Sequence, residues 1–267
     1  MSDVYGVDEA AGRWRQAAAA LATECLAPHA AEVDAQARFP MEGMTALARS
    51  GFYGLCLDSQ VGGRGEGPAT FAAVVEELAR QCASTAMVYV MHMTATKVIE
   101  SALTFARRPE VLHAIAAGEH LTTLAFSEQG SRSHFWAPLS RLVRHGQAYQ
   151  THAVKSWVTA AHYADSYVAS AQAPDAQPPL ESTLYWVPRM HAGVQPMGQF
   201  NGLGLRGNDS APVTFEGAVV IDDHLLTTHG QGLDCMLQVA LPWFTIGTAA
   251  MAHGLCLATV EATAAHV

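Results

Sequence analysis

The sequence changes its period near Thr122, and that change constrains the fold more than any other feature. Before it, apolar residues recur every three to four positions. Trp14, Leu21, Cys25 and Leu26 do so within 10–36, and Met87, Val90, Met91, Thr94 and Val98 do so within 84–105. Such spacing lays one apolar stripe on a helix. After it, runs become short, β-branched or aromatic, and are punctuated by Gly, Pro, Asn and Asp. They are Thr122–Ser127, Arg141–Arg144, Tyr149–Thr159, Ser166–Ala171, Thr183–Val187, Val213–Phe215 and Val219–Ile221. Helical spacing returns from Leu233 to Val267. The pattern predicts an α+β chain, with a helical domain over 1–121, an antiparallel, barrel-like β-domain over 122–230, and a long helix over 231–267.

Breakers refine this. Pro28 predicts a kink or a division in the helix over 10–36. Gly51 stops a short helix over 41–50, Pro68 opens one over 68–82, and a further helix covers 109–117. The run Gly62-Gly-Arg-Gly-Glu-Gly67 lacks G-x-G-x-x-G spacing and no βαβ unit follows, so it reads as a tight turn rather than a dinucleotide loop. Pro174–Pro179 reads as a solvent loop. The stripe with Met87 and Met91 is core, with room to line an apolar pocket, since methionine adapts its shape.

Composition removes several function classes. Half of the 267 residues are hydrophobic, enough for one large domain or two modest ones. A net charge of −9 disfavours nucleic acid as a partner. No apolar run of about 18 residues is free of charges and breakers, so no membrane span is expected. Nor does the N-terminus read as a secretory leader. The five cysteines, Cys25, Cys56, Cys82, Cys235 and Cys256, are scattered, odd in number and without C-x-x-C, as in a cytoplasmic protein with reduced thiols. Among the 13 histidines the spacings His113/His120 and His145/His152 match no zinc pattern, so no metal is expected.

Two stretches carry chemistry. Leu124-Ala-Phe-Ser-Glu-Gln-Gly-Ser-Arg-Ser133 is an alternating run that ends in small hydroxyl and glycine residues, where a planar, phosphate-bearing ligand can approach the backbone. Lys155-Ser-Trp-Val-Thr159 places a flat aromatic and a hydroxyl two residues apart, on one face of a strand. Singly, each residue has an ordinary structural use: Trp157 in a β-core, Thr159 on an edge strand, Ser133 in a turn.

Together the two stretches resemble the flavin site of the acyl-CoA dehydrogenase family. There, T-E-P-x-x-G-S-D-like and K-x-W-I-T-like segments hold the isoalloxazine ring and the pyrophosphate of FAD. Gly204-Leu-Arg-Gly-Asn-Asp-Ser210, before Val213-Thr-Phe215, resembles the family's G-x-R-G-S-x-T-like segment. The chain departs from the pattern at Gln129, Arg132 and His134, which replace a proline, a glycine and an aspartate. The family's Y-G-G-x-G-like loop matches the glycine run and lies outside the usual flavin contacts.

The resemblance implies FAD as cofactor, bound by Leu124, Ala125, Phe126, Ser127, Ser133, Trp157, Val158 and Thr159, with Ser133 also near substrate phosphates. It implies α,β-dehydrogenation of an acyl thioester, in a homotetramer, with an electron acceptor that the sequence does not reveal. It also implies that 231–267 is the first helix of an incomplete C-terminal helical domain, so the chain reads as a truncated member. Dehydrogenation needs a carboxylate to take the α-proton. Placing Gly254 on the family's helix glycine puts Phe244 at one of the family's base positions, Thr245 where an arginine usually stands, and Pro242 where an aspartate often does. The catalytic base is therefore unassigned. Glu261, about four turns past Phe244, reads as a solvated position, and Glu128 is the other carboxylate to consider. Two alternatives follow, a flavin monooxygenase on the same fold and a non-catalytic flavin-binding fragment. The final helix, with Leu237, Val239, Leu241, Trp243, Phe244 and Ile246 close together, is expected to expose an apolar patch.

Overall fold

The structure is a computed structural model that describes residues 9–132, 134–177 and 180–266. Pro178 and Pro179 of the expected solvent loop lie outside the described residues. Helix α1 (Glu9–Leu21) runs through a π turn (Ala22–Leu26) into α2 (Ala27–Gln36). Pro28 has no N–H to give to the carbonyl four residues earlier. The widened turn stands immediately before it, where the Ala27 N–H reaches back to the Ala22 carbonyl. The expected disruption is thus one wide turn in a continuing helix.

Four more helices follow: α3 (Met41–Arg49), α4 (Pro68–Gln81), α5 (Ala83–Ser101) and α6 (Arg108–Ala116). The glycine run between α3 and α4 folds back on the chain before it. Arg64 N–H donates to Gly54 O at 3.0 Å and Gly65 N–H to Leu57 O at 2.8 Å. A Cβ at Gly63 would lie 2.1 Å from Leu57 O, so the close approach requires glycine. This is a turn between helices. The helical core is made of fully buried side chains, among them Leu47, Leu55, Phe71, Leu78, Tyr89 and Met93. The Tyr89 hydroxyl is satisfied by Phe52 O at 2.9 Å.

Seven strands follow in chain order: β1 (Thr122–Ala125), β2 (Val143–His145), β3 (Ala148–Val158), β4 (Ser166–Gln172), β5 (Ser182–Pro188), β6 (Val194–Pro196) and β7 (Ala211–Val220). They form two open sheets, ordered β1-β4-β5 and β2-β3-β7-β6. The barrel-like expectation is corrected to this extent: neither sheet closes. Nor is every pairing antiparallel, because β1 runs parallel to β4, from Thr122 opposite Ser166 to Ala125 opposite Ala169. The hairpin of β2 and β3 lies between them in sequence and joins the other sheet, so the chain re-enters the first sheet in its original direction. Two runs that read as separate strands, 213–215 and 219–221, belong to the single strand β7 up to Val220. Gly217, at φ 63°, is skipped where Thr151 and His152 pair with Ala218 and Glu216, a bulge that interrupts the alternation.

The chain ends in a continuous helical stretch: α7 (Gly232–Cys235), a π turn (Met236–Ala240) and α8 (Leu241–His266). By length and composition alone, Gly232–His266 is long and apolar enough to cross a membrane, which the sequence reading did not anticipate, and 22% of its most apolar window is buried. Its packing is that of a bundle helix. A Cβ at Gly254 would stand 2.3 Å from Glu76 O of α4, and one at Gly247 would stand 2.8 Å from Val90 Cγ1 of α5. Both contacts need a bare backbone. Away from these contacts the helix is open, with Leu237, Leu255 and Val260 exposed.

A buried hydrogen bond ties the helical part to the first residue of the sheet. The Thr122 N–H, first in β1, donates to His92 Nδ1 of α5 at 3.2 Å. Burial, with a smaller push from His120, lowers the His92 pKa from 6.5 to about 3. The folded chain therefore holds His92 neutral, while the unfolded chain takes up a proton below its ordinary value. Protons favour unfolding across that interval, so this part of the stability is complete above pH 6.5 and declines as pH falls towards 3. A shift of this size is worth on the order of a few kcal/mol. His92→Gln keeps an acceptor for Thr122 but does not titrate. Urea unfolding between pH 7 and 4 should show a shallower loss of stability in this variant; parallel curves would contradict the assignment.

Candidate functional site

β1 leaves the helical core with alternating side chains, so Leu124 and Phe126 share one face. That face looks into a pocket of about 130 Å³. Leu124, Phe126, Ser127 and Trp157 form one wall; Met91 of α5, Phe135 of the loop after β1, and Ala240, Leu241 and Phe244 of the final helix form the rest. Trp157, at the end of β3, is 61% exposed, a large proportion for a tryptophan, with Phe200 packed edge-on at 6.2 Å. The two sequence stretches singled out for ligand binding are therefore brought together at one pocket through four of their residues.

Three further expected residues stand behind the surface rather than in the lining. Ala125, Val158 and Thr159 are buried and do not line the pocket. Thr159 Oγ1 lies 3.1 Å from Ser210 Oγ. Ser133 lies outside the described residues. Ser210 belongs to the segment 204–210, whose task in the structure is to hold the end of β3. Ala160 N–H donates to Asn208 O at 2.9 Å, and Asp209 Oδ2 accepts the His162 N–H at 2.7 Å. Asp209 Oδ1 also meets His162 Nδ1 at 2.9 Å.

The pocket is electrically bland. Among the described residues that line it, Ser127 offers the one hydroxyl and Trp157 an indole N–H, and none has a titratable side chain. Both carboxylates considered as bases are engaged elsewhere. Glu261 pairs with Arg80 on the outside of the α4–α8 contact. Glu128 is buried against Lys155, with Oε1 2.6 Å from Nζ. Burial pushes the Glu128 carboxyl up, but the Lys155 charge and hydrogen bonds from Lys155 and Ser140 outweigh it and hold the pKa below its ordinary value. Burial also lowers the Lys155 ammonium against the opposing pull of Glu128. The two shifts favour opposite proton positions. The ionised pair fits the contacts better, because every partner of the carboxylate is a donor and every partner of Nζ is an acceptor.

The helical stripe marks Met91 as a possible pocket residue, and the glycine at 254 marks Phe244. Phe135, Ala240 and Leu241 carry no such signal. Phe135 sits in an irregular loop with no period, and the other two belong to a helix apolar on several faces. Among the described residues no group of three His, Cys, Asp or Glu side chains is placed to hold a metal ion.

Comparison with known proteins agrees with this layout. Residues 8–119 match the family model described as acyl-CoA dehydrogenase, N-terminal domain. The chain is 27% identical over 235 residues to "Probable acyl-CoA dehydrogenase FadE25" of Mycobacterium tuberculosis, covering 88% of this chain and 60% of that relative. It is 30% identical over 272 residues to (2S)-methylsuccinyl-CoA dehydrogenase of Cereibacter sphaeroides, covering 96% of this chain and 48% of the relative. The structure superposes on butyryl-CoA dehydrogenase from Megasphaera elsdenii with a TM-score of 0.90 at 19% identity, over 96% of this chain and 68% of that one, a likeness of fold. The chain thus spans about 60% of the length of the first curated relatives it matches.

The pocket's character can be tested by placing a charge in it. Phe244→Glu sets a carboxyl beside Met91, Phe126 and Leu241, where burial should lift its pKa above the ordinary glutamate value. Each unit of that lift removes about 1.4 kcal/mol of stability once pH has risen through the folded value. The Tm deficit of the variant should therefore be larger at pH 8 than at pH 4. An equal deficit at both would show that position 244 opens to solvent.

Proposed function

We propose, from the premise that the chain belongs to the acyl-CoA dehydrogenase family, that this pocket is the flavin and acyl site of an FAD-dependent oxidoreductase acting on an acyl thioester. One observation carries the reading: Leu124, Phe126, Ser127 and the exposed ring of Trp157 converge on a single apolar recess. A flat aromatic face and a short apolar strand make a bed that fits a planar ring system. Bound FAD supplies the two-electron acceptor. The chain's own part is to cover the ring with Trp157, to offer backbone N–H groups near Phe126 and Ser127 to developing negative charge, and to exclude water through Met91, Leu241 and Phe244. Ser133 is proposed at the phosphates, and Thr159, held by Ser210, at the ring edge. The protein is read as a cytoplasmic homo-oligomer, with the open side of the final helix as the surface that other helices or subunits would cover.

The lining also points to what this pocket does not do by itself. α-Proton removal needs a positioned base, and the described residues of the lining include none. Loss of a general base typically costs a factor of about 10² to 10⁴. The same observation favours a second reading, a flavin monooxygenase on this fold, in which no α-proton is removed.

The test is to load the chain with FAD and mix it anaerobically with acyl-CoAs of different length, following the flavin absorbance. The expected outcome is a yellow complex that bleaches slowly with every thioester. Failure to retain FAD would remove the cofactor reading. Rapid bleaching would show that the chain holds a competent base. A chemically reduced flavin that oxygenates an added substrate in air would support the monooxygenase instead.

A further inference from the structure

A bridge between Glu128 and Lys155 joins the chain leaving β1 of one sheet to β3 of the other. Beside it Gln129 N–H donates to Val154 O and Ser156 N–H to Ser127 O, both at 2.9 Å. Lys155 is fully buried, and its Nζ donates to Glu128 Oε1 and to the Ser170 carbonyl of β4. Ser170 Oγ in turn donates to Phe126 O at 3.4 Å. On its other side the Glu128 carboxylate accepts Leu139 N–H and Ser140 N–H at 2.8 Å each, and Ser140 Oγ at 2.5 Å. Four donors from two separate segments end on one carboxylate.

Each segment tied here carries a wall of the pocket. Ser127 is the residue before Glu128. Trp157 is two residues after Lys155. Phe135 rides on the loop whose far end, Leu139 and Ser140, is pinned by Glu128. A buried ion pair is poor evidence for stability, since apolar replacements of similar volume are often neutral or stabilising. What such a pair supplies is direction, because each bond is short and fixes a donor to one oxygen.

We propose that Glu128 and Lys155 are positioning residues, which set the distance and angle between the Ser127, Trp157 and Phe135 walls and so determine whether the pocket fits a planar ligand. The proposal rests on the flavin reading of the pocket for its choice of probe. It assigns the pair no contact with the ligand itself.

The experiment compares wild type, Glu128→Gln, Lys155→Met and the double variant, with FAD as the probe. The double variant removes both charges, while the amide introduced at position 128 still accepts from Leu139 and Ser140. Each single variant should lose both stability and FAD affinity. The double variant should regain a Tm within a few degrees of wild type yet bind FAD at least tenfold more weakly, with an altered visible flavin band. Wild-type affinity in the stable double variant would overturn the proposal and leave the pair a structural tie. Should the double variant not fold, Ser140→Ala, which removes one donor, should weaken FAD several-fold at nearly unchanged Tm; unchanged affinity would overturn the proposal as well. If wild type itself binds no FAD, the flavin reading fails separately. Positioning is then read from amide exchange in the double variant or, if that does not fold, in Ser140→Ala. Faster exchange at Gln129, Leu139, Ser140 and Ser156 at nearly wild-type Tm supports it, and unchanged exchange refutes it.

Discussion

Two glycines decide where the last helix lies, and the pocket depends on that placement. Gly254 lets α8 rest on the backbone of α4 at Glu76, and Gly247 lets it close on Val90 of α5. With two crossings fixed, the rotation of the helix is fixed, and Phe244 and Leu241 come to face Met91 and Phe126. A side chain at either glycine would push the helix away from the neighbours it now touches, and the recess beside Trp157 would lose its third wall. The helical part and the sheets thus build one site, although neither contains it.

Most of the architecture was legible because it follows from period. The helices from Glu9 to Ala116 and the strands from Thr122 onward lie close to where the spacing of apolar residues changes. What the period does not encode is direction and closure. Nothing local to Thr122–Ala125 says that its neighbour will be β4 running parallel, since that is decided by where the intervening hairpin goes. Gly217 hid the unity of β7 because a bulge breaks the alternation. Pro28 looked like a break, yet the helix absorbs it in a π turn. The candidate site was half legible. Alternation correctly puts Leu124 and Phe126 on one face, but the two-residue spacing of Trp157 and Thr159 implied a shared face that the register shift between Lys155 and Val158 disturbs.

The electrostatics divide the molecule cleanly. Among the carboxylates considered for chemistry, Glu128 is spent on holding strands together and Glu261 on an exposed pair with Arg80. Among its described residues the recess is left with one hydroxyl, one indole N–H and otherwise apolar side chains. Such a surface binds by shape and by exclusion of water, and it favours a ligand that brings its own reactivity. That fits a family in which the redox chemistry resides in a cofactor and the protein supplies orientation.

The central claim is that the recess between β1, the end of β3 and the final helix is where a flavin ring lies. A crystal structure of the protein grown with FAD tests it most directly. The account predicts isoalloxazine density in van der Waals contact with Trp157 and alongside Leu124–Ser127. Flavin density at another surface, or a recess filled by Trp157 and Phe135 with FAD present in excess, would contradict it.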